Sequence, residues 1–207
     1  MSAAGHPSGE EWNPGEVTEA REAASLILLR ESSAAAEVLL VQRNPEQRFM
    51  GGAWVFPGGA VHAGEDADPA AAAVRELEEE AGIALPDGTE LVPFSRWITP
   101  REVKVRFDTW FFAAEAPEGA EARPDGGECV DARWLAPAAA LAAHAQDELS
   151  LVFPTIKHLE LLSETASVEE TLDAARARPV TPIMPKVAIH EGAAQVLLPG
   201  DPGYDDV

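Results

Sequence analysis

The order of patterns along the chain predicts an α/β fold, an α/β/α sandwich with a mixed sheet and a C-terminal helical extension. Three observations carry that prediction. β-rich runs lie on both sides of one strongly marked helix at 70–81. Two of those runs, 90–98 and 103–114, are joined by a turn short enough for antiparallel pairing. Three further helical patterns, at 137–145, 153–165 and 168–177, come late in the chain.

Taken in order, residues 1–15 are polar and rich in Gly, Pro and Ser, which predicts a disordered lead-in. Residues 16–23 suit a short helix. The run SLILL within 24–30 reads as a buried strand, and EVLLVQR at 37–43 as the next. A loop over 44–53 leads to a short strand at 54–56, which breaks at Pro57-Gly58-Gly59. The helix that follows has clear limits. Asp68 suits the N-cap, Pro69 the first helical position, and Gly82 the C-terminal cap. Between them stand mostly strong helix formers.

Residues 86–89 make a turn before the strand at 90–98. Residues 99–102 turn the chain again, into 103–114. A loop over 115–127 precedes the strand 128–135 and the Ala-rich helix 137–145. The last two helices divide near residues 166–167. Residues 178–185 are Pro-rich and extended, and 187–198 suit a hairpin turning at Glu191-Gly192-Ala193. The organisation expected is a lead-in over 1–15, one main domain over 16–150, and an extension over 151–207. That extension would pack on the domain or on a second copy in a homodimer.

Composition narrows the function. The 207 residues are enough for one cored domain, and 46% apolar with 25% charged residues is ordinary globular composition. The net charge of −21 argues against nucleic acid, which needs a basic footprint, and against anionic membrane surfaces. No apolar run is long enough to span a bilayer, and no signal or address is recognisable. Cys129 is the only cysteine, so no internal disulfide forms and a cytoplasmic location is expected. Basic residues gather between 43 and 106, as an anionic small-molecule substrate would require.

The chemistry centres on the helix. Glu76, Glu79 and Glu80 fall at i, i+3 and i+4, which puts three carboxylates on one face. Such a face is ordinarily solvated, with Arg75 and Glu79 as a surface ion pair. It is also the oxygen-rich set that Mg²⁺ or Mn²⁺ prefers. The motif separates the two readings. Residues 75–83, RELEEEAGI, resemble the REUxEExGU half of the Nudix box, where U is a bulky aliphatic. Gly59 and Glu65 fit its Gx5E half. The spacer from Asp66 to Val74 is nine residues, where the usual box has seven.

The chain thus resembles the Nudix hydrolases over roughly residues 24–145. The resemblance implies an α/β/α sandwich and a Mg²⁺- or Mn²⁺-dependent attack of water on a phosphoanhydride. By the same resemblance Glu76, Glu79 and Glu80 are metal-binding and catalytic, and Arg75 orients a glutamate. The Gly59 carbonyl faces the metal, and Glu65 stands at the first glutamate of the box. Many members add a carboxylate on a late loop as base or further ligand. Glu128 is the candidate here, with Asp125 behind it.

A second signature lies upstream. Leu39-Leu40-Val41-Gln42-Arg43-Asn44, Arg48, Gly52 and Phe56-Pro57-Gly58-Gly59 keep the spacing seen before the box in coenzyme A diphosphatases, LLTxRSx3Rx3Gx3FPGG. Val41 and Asn44 depart from it. The longer spacer is similar to a branch of that group with an insertion in the box. Arg43 and Arg48 would then meet phosphate oxygens, and Phe49 and Trp54 the adenine or the pantetheine arm.

The expected substrate is a nucleoside diphosphate linked to another moiety, most of all coenzyme A or an acyl-CoA. The alternatives are a pyrophosphatase for ADP-ribose, NDP-sugars or nucleotides, and a non-catalytic nucleotide-binding module. The histidines lack ligand-like spacing, and Cys129 reads as buried filler.

Overall fold

The computed structural model describes residues 12–13, 15–33, 35–190 and 193–207. Its large sheet contains β1 (Arg21–Arg30), β2 (Glu37–Arg43), β3 (Trp54–Val55), β4 (Gly58–Ala60), β5 (Val92–Ile98), β6 (Phe107–Glu115), β7 (Cys129–Leu135) and β8 (Pro182–Ile183). Four helices are described: α1 (Pro69–Ala81), α2 (Pro137–Ala145), α3 (Phe153–Leu162) and α4 (Val168–Ala177). β9 (Lys186–His190) and β10 (Ala193–Leu197) pair antiparallel in a separate small sheet. No described helix is long and apolar enough to cross a membrane.

β1 is the axis of the sheet. It runs parallel to β6 along its length, from Arg21 opposite Phe107 to Leu29 opposite Glu115. On its other edge it holds β2 only at Leu29 and Arg30, after which the two strands diverge. The segment around residues 54–60 fills the gap, β3 pairing with β2 and β4 with β1. β7 adds to the far edge of β2, and β5 pairs antiparallel with β6. The sheet is therefore mixed.

SLILL is apolar at every position because both faces of β1 are covered. Leu26 and Leu28 point to the face of α1, packing with Leu39, Val41, Ala73 and Leu77. Ile27 and Leu29 point to the opposite face, where Leu159, Leu162, Val168 and Leu172 of α3 and α4 lie. The helices after residue 150 are thus one outer layer of the sandwich, packed on the sheet itself.

Three expectations change. Residues 21–23 belong to β1, because pairing with β4 and β6 overrides the local preference for a helix at 16–23. β6 starts at Phe107, later than the residue 103 expected, since Arg106 is drawn out of the strand. Its guanidinium donates to the carbonyls of Thr18, Thr99 and Pro100. Of the lead-in, residues 1–11 and 14 lie outside the described residues. Trp12 forms a bridge with Val103, and the Asn13 N–H donates to the Glu102 carbonyl, so this end is docked. The hairpin turn at residues 191–192 also lies outside them.

Candidate active site

Local constraints build the site around residues 57–59. A Cβ on Gly58 would meet the Ala24 carbonyl oxygen at 2.5 Å and the Ser25 Cα at 2.6 Å, so glycine lets this segment close on β1. The Gly58 N–H donates to Glu80 Oε2 at 2.9 Å. Gly59 lies against the Glu76 carboxylate so closely that any Cβ would overlap it. α1 is held over this segment by its caps. The Asp68 carboxylate accepts the Ala71 N–H, and Gly82 closes the helix at φ 65°. Its buried face carries Ala72, Ala73, Glu76, Leu77 and Glu80, so two glutamates face the sheet with the apolar residues.

Those glutamates are 7% and 1% exposed, and burial penalises their charge. Burial pushes the Glu80 carboxyl up to about 7. Neighbouring Glu76 adds to the rise, while the Gly58 N–H and the Arg43 guanidinium oppose it. Glu76 is also raised, first by burial, with Arg75 countering. The third carboxylate is Glu128, exposed at the start of β7. Glu76, Glu80 and Glu128 each offer an oxygen within 4.8 Å of the others.

A tight turn presents Glu128. The Asp125 carboxylate accepts the N–H groups of Gly127, Glu128 and Cys129 at 3.1, 2.9 and 2.8 Å. Asn44 anchors that turn to the loop after β2, donating its N–H to the Glu128 carbonyl and its amide to the Gly127 carbonyl, both at 2.8 Å. Asp125 is therefore the scaffold of the turn, and its oxygens are occupied. Cys129 is fully buried. Burial and nearby Glu80 push its thiol well above its ordinary range, which suits packing and not nucleophilic attack.

Glu79 stands apart from this trio. Its side chain is 57% exposed and accepts a 2.8 Å hydrogen bond from Arg75. Arg75 also donates to Glu76 Oε1 at 2.8 Å, to the Ala60 carbonyl at 3.1 Å, and through two bonds to Asp66. Sequence reasoning missed Asp66. The one signal that could have found it was the nine-residue spacer, which moves the acid facing Arg75 one place past Glu65. Glu65 itself is 74% exposed beside His62.

The residues expected to meet substrate divide. Arg43 is half-buried near Glu80, donating to the Phe49 carbonyl at 3.3 Å and to Gln47 Oε1 at 2.6 Å. Arg48 is exposed on the same loop. Phe49 is half-buried against Phe107, with ring centroids 5.9 Å apart. Trp54 corrects the expectation. It is 2% exposed in the core, with the Arg133 guanidinium over its ring, because the alternation of β3 turns it inward. His158 is likewise internal, packed among Phe56, Phe94, Trp97 and Phe111 and within 2.6 Å of Ser95 Oγ.

The family profile of the NUDIX domain matches residues 19–154. The chain belongs to the NUDIX family. A NUDIX hydrolase from Alicyclobacillus acidocaldarius is 27% identical with a TM-score of 0.68, over 79% of this chain and 98% of that one. The NUDIX domain of Shewanella oneidensis NrtR, solved with ADP-ribose, shares the fold at 19% identity and TM-score 0.52, over 74% and 92% of the two chains. Over 62 residues the chain is 45% identical to an octanoyltransferase of Myxococcus xanthus, a match covering 30% of this chain and 16% of that protein.

Nudix hydrolases depend on divalent metal ions, and the residues present suit one. Two carboxylates buried side by side with a third at the rim are costly without a cation, and their oxygens are the donors a hard ion takes. The contact between Gly59 and Glu76 is testable. Gly59→Ala is expected to displace the Glu76 carboxylate and lower kcat by about tenfold, on the scale of a misplaced catalytic group. A kcat within twofold of wild type would show that Glu76 has room to move.

Proposed function

We propose that this Nudix hydrolase cleaves the diphosphate of coenzyme A or an acyl-CoA, giving 3′,5′-ADP and 4′-phosphopantetheine. The observation that carries the diphosphatase reading is the convergence of Glu76, Glu80 and Glu128 against the Gly58-Gly59 segment. These three residues, joined by Glu79 and the Gly59 carbonyl, would hold Mg²⁺ or Mn²⁺. When bound, the ion screens the diphosphate charge and acidifies a coordinated water.

The chain's own groups do the rest. Arg75 orients Glu76 and Glu79 by direct hydrogen bonds. Glu80 is a candidate for the group that takes a proton from water, and Glu128 is an alternative base at the open rim. Gly58 holds Glu80 in one orientation.

The substrate assignment rests on the loop after β2. Arg43 lies close enough to Glu80 for its charge to be felt there, and exposed Arg48 follows within five residues. Both forks suit the 3′-phosphate and the diphosphate of coenzyme A, in a chain whose net charge of −21 otherwise repels anions. With its single cysteine the enzyme fits the reducing cytoplasm.

A turnover panel tests the assignment. Coenzyme A, acetyl-CoA, ADP-ribose, NADH, an NDP-sugar and dGTP would be incubated with Mg²⁺ or Mn²⁺, and products identified by mass. Phosphopantetheine is the expected product. Turnover of another diphosphate alone would keep the reaction class and reject coenzyme A. Nucleotide binding without turnover would favour a sensing module.

A further inference from the structure

We infer that Asp66, and not Glu65 at the motif position, is the positioning residue that sets Arg75 and through it Glu76 and Glu79. An arginine carries five N–H donors in one rigid plane. In this protein all five are used. Nε–H donates to Asp66 Oδ1 at 3.0 Å. One terminal nitrogen donates to Asp66 Oδ2 and to the Ala60 carbonyl, each at 3.1 Å. The other donates to Glu76 Oε1 and Glu79 Oε2, each at 2.8 Å.

The two bonds to Asp66 grip one edge of the guanidinium and fix its plane. That leaves the two hydrogens of the remaining nitrogen aimed at the two glutamates. A single-point contact would let the group rotate about its stem.

Asp66 is itself braced. Its Oδ2 accepts the His62 N–H at 2.7 Å, and its own N–H donates to the His62 carbonyl at 3.0 Å. Its side chain is 3% exposed, against 74% for Glu65. The Arg75 fork, then the His62 N–H, hold the Asp66 carboxyl below the usual range, so it is an anion at neutral pH. The loop closes on itself between Ala63 and Asp66, where a bridge forms. The longer spacer thus begins at a turn that delivers Asp66 to Arg75 and sends Glu65 into solvent.

The catalytic part of this inference rests on the diphosphatase reading; the structural part does not. The test uses Asp66→Asn and Glu65→Gln in wild-type and Arg75→Lys backgrounds. It measures kcat and KM with Mn²⁺ and the diphosphate turned over in the panel, and the exchange of the Arg75 Nε–H proton by NMR. Asp66→Asn is expected to lower kcat about tenfold, leave KM within twofold, and lose the slowly exchanging Nε–H resonance. Glu65→Gln is expected to change none of these. In the Arg75→Lys background, Asp66→Asn should cost less than twofold, because the residue acts through Arg75.

The inference is overturned if Glu65→Gln produces the loss, if Asp66→Asn keeps the protected resonance, or if its full cost persists without Arg75. A wild-type protein that turns nothing over would reject the diphosphatase reading, while the resonance would still decide the role of Asp66.

Discussion

Glu80→Gln is expected to lower kcat about a thousandfold while leaving the protein folded, within the range for removing an essential acid–base group. The glutamine amide has the shape of the carboxylate, so its oxygen can still accept the Gly58 N–H that now reaches Glu80 Oε2 at 2.9 Å. Geometry is preserved and charge is lost. The trio of Glu76, Glu80 and Glu128 drops from three possible anions to two, which weakens its hold on a divalent ion and removes the group with proton affinity near neutrality. Steady-state kinetics over a range of Mn²⁺ concentrations checks this. A variant retaining a tenth or more of wild-type kcat at saturating metal would remove Glu80 from the chemistry.

The same residue makes the metal-free protein pH-sensitive, and the sign follows from its environment. The Glu80 carboxyl is pushed up to about 7 from the ordinary 4.5, by burial first and by Glu76 second. Between those two values the folded protein holds a proton that the unfolded chain has released. Stability therefore falls as pH rises through this window, and the loss is complete above pH 7. The full effect is about 3 kcal/mol, a considerable share of a domain's net stability. Glu76, raised as well, acts in the same direction.

In EDTA, wild type is expected to melt at a higher temperature at pH 5.5 than at pH 8, and Glu80→Gln to lose much of that slope. Saturating Mn²⁺ should stabilise wild type more at pH 8 than at pH 5.5, because the ion competes with the proton for the same oxygens. Thermal denaturation of both proteins, with and without metal, gives the answer. Parallel pH profiles for wild type and variant would refute it.

Much of this site is local, and local chemistry is legible. Asp68, Pro69 and Gly82 mark the ends of α1, and the i, i+3, i+4 spacing of Glu76, Glu79 and Glu80 places them on one side of it. Even so, that spacing treats the three alike. The structure separates them, because the helix face turned to the sheet holds Glu76 and Glu80, while Glu79 lies towards solvent beside Arg75.

The amino-acid order determined the elements, their caps, the acidic helix and the likeness to the Nudix hydrolases, since each depends on residues close in sequence. Tertiary structure alone decided three matters that depend on long-range pairing. Residues 21–23 became strand because β4 and β6 offered partners on both edges. Trp54 went into the core and Glu128 beside the carboxylates of Glu76 and Glu80 because β2 aligns β3 and β7 on either side of it. Asp66 meets Arg75, and Glu65 does not, because the loop folds back on His62. Only the length of the spacer hints at that closure, which is made by hydrogen bonds between His62 and Asp66.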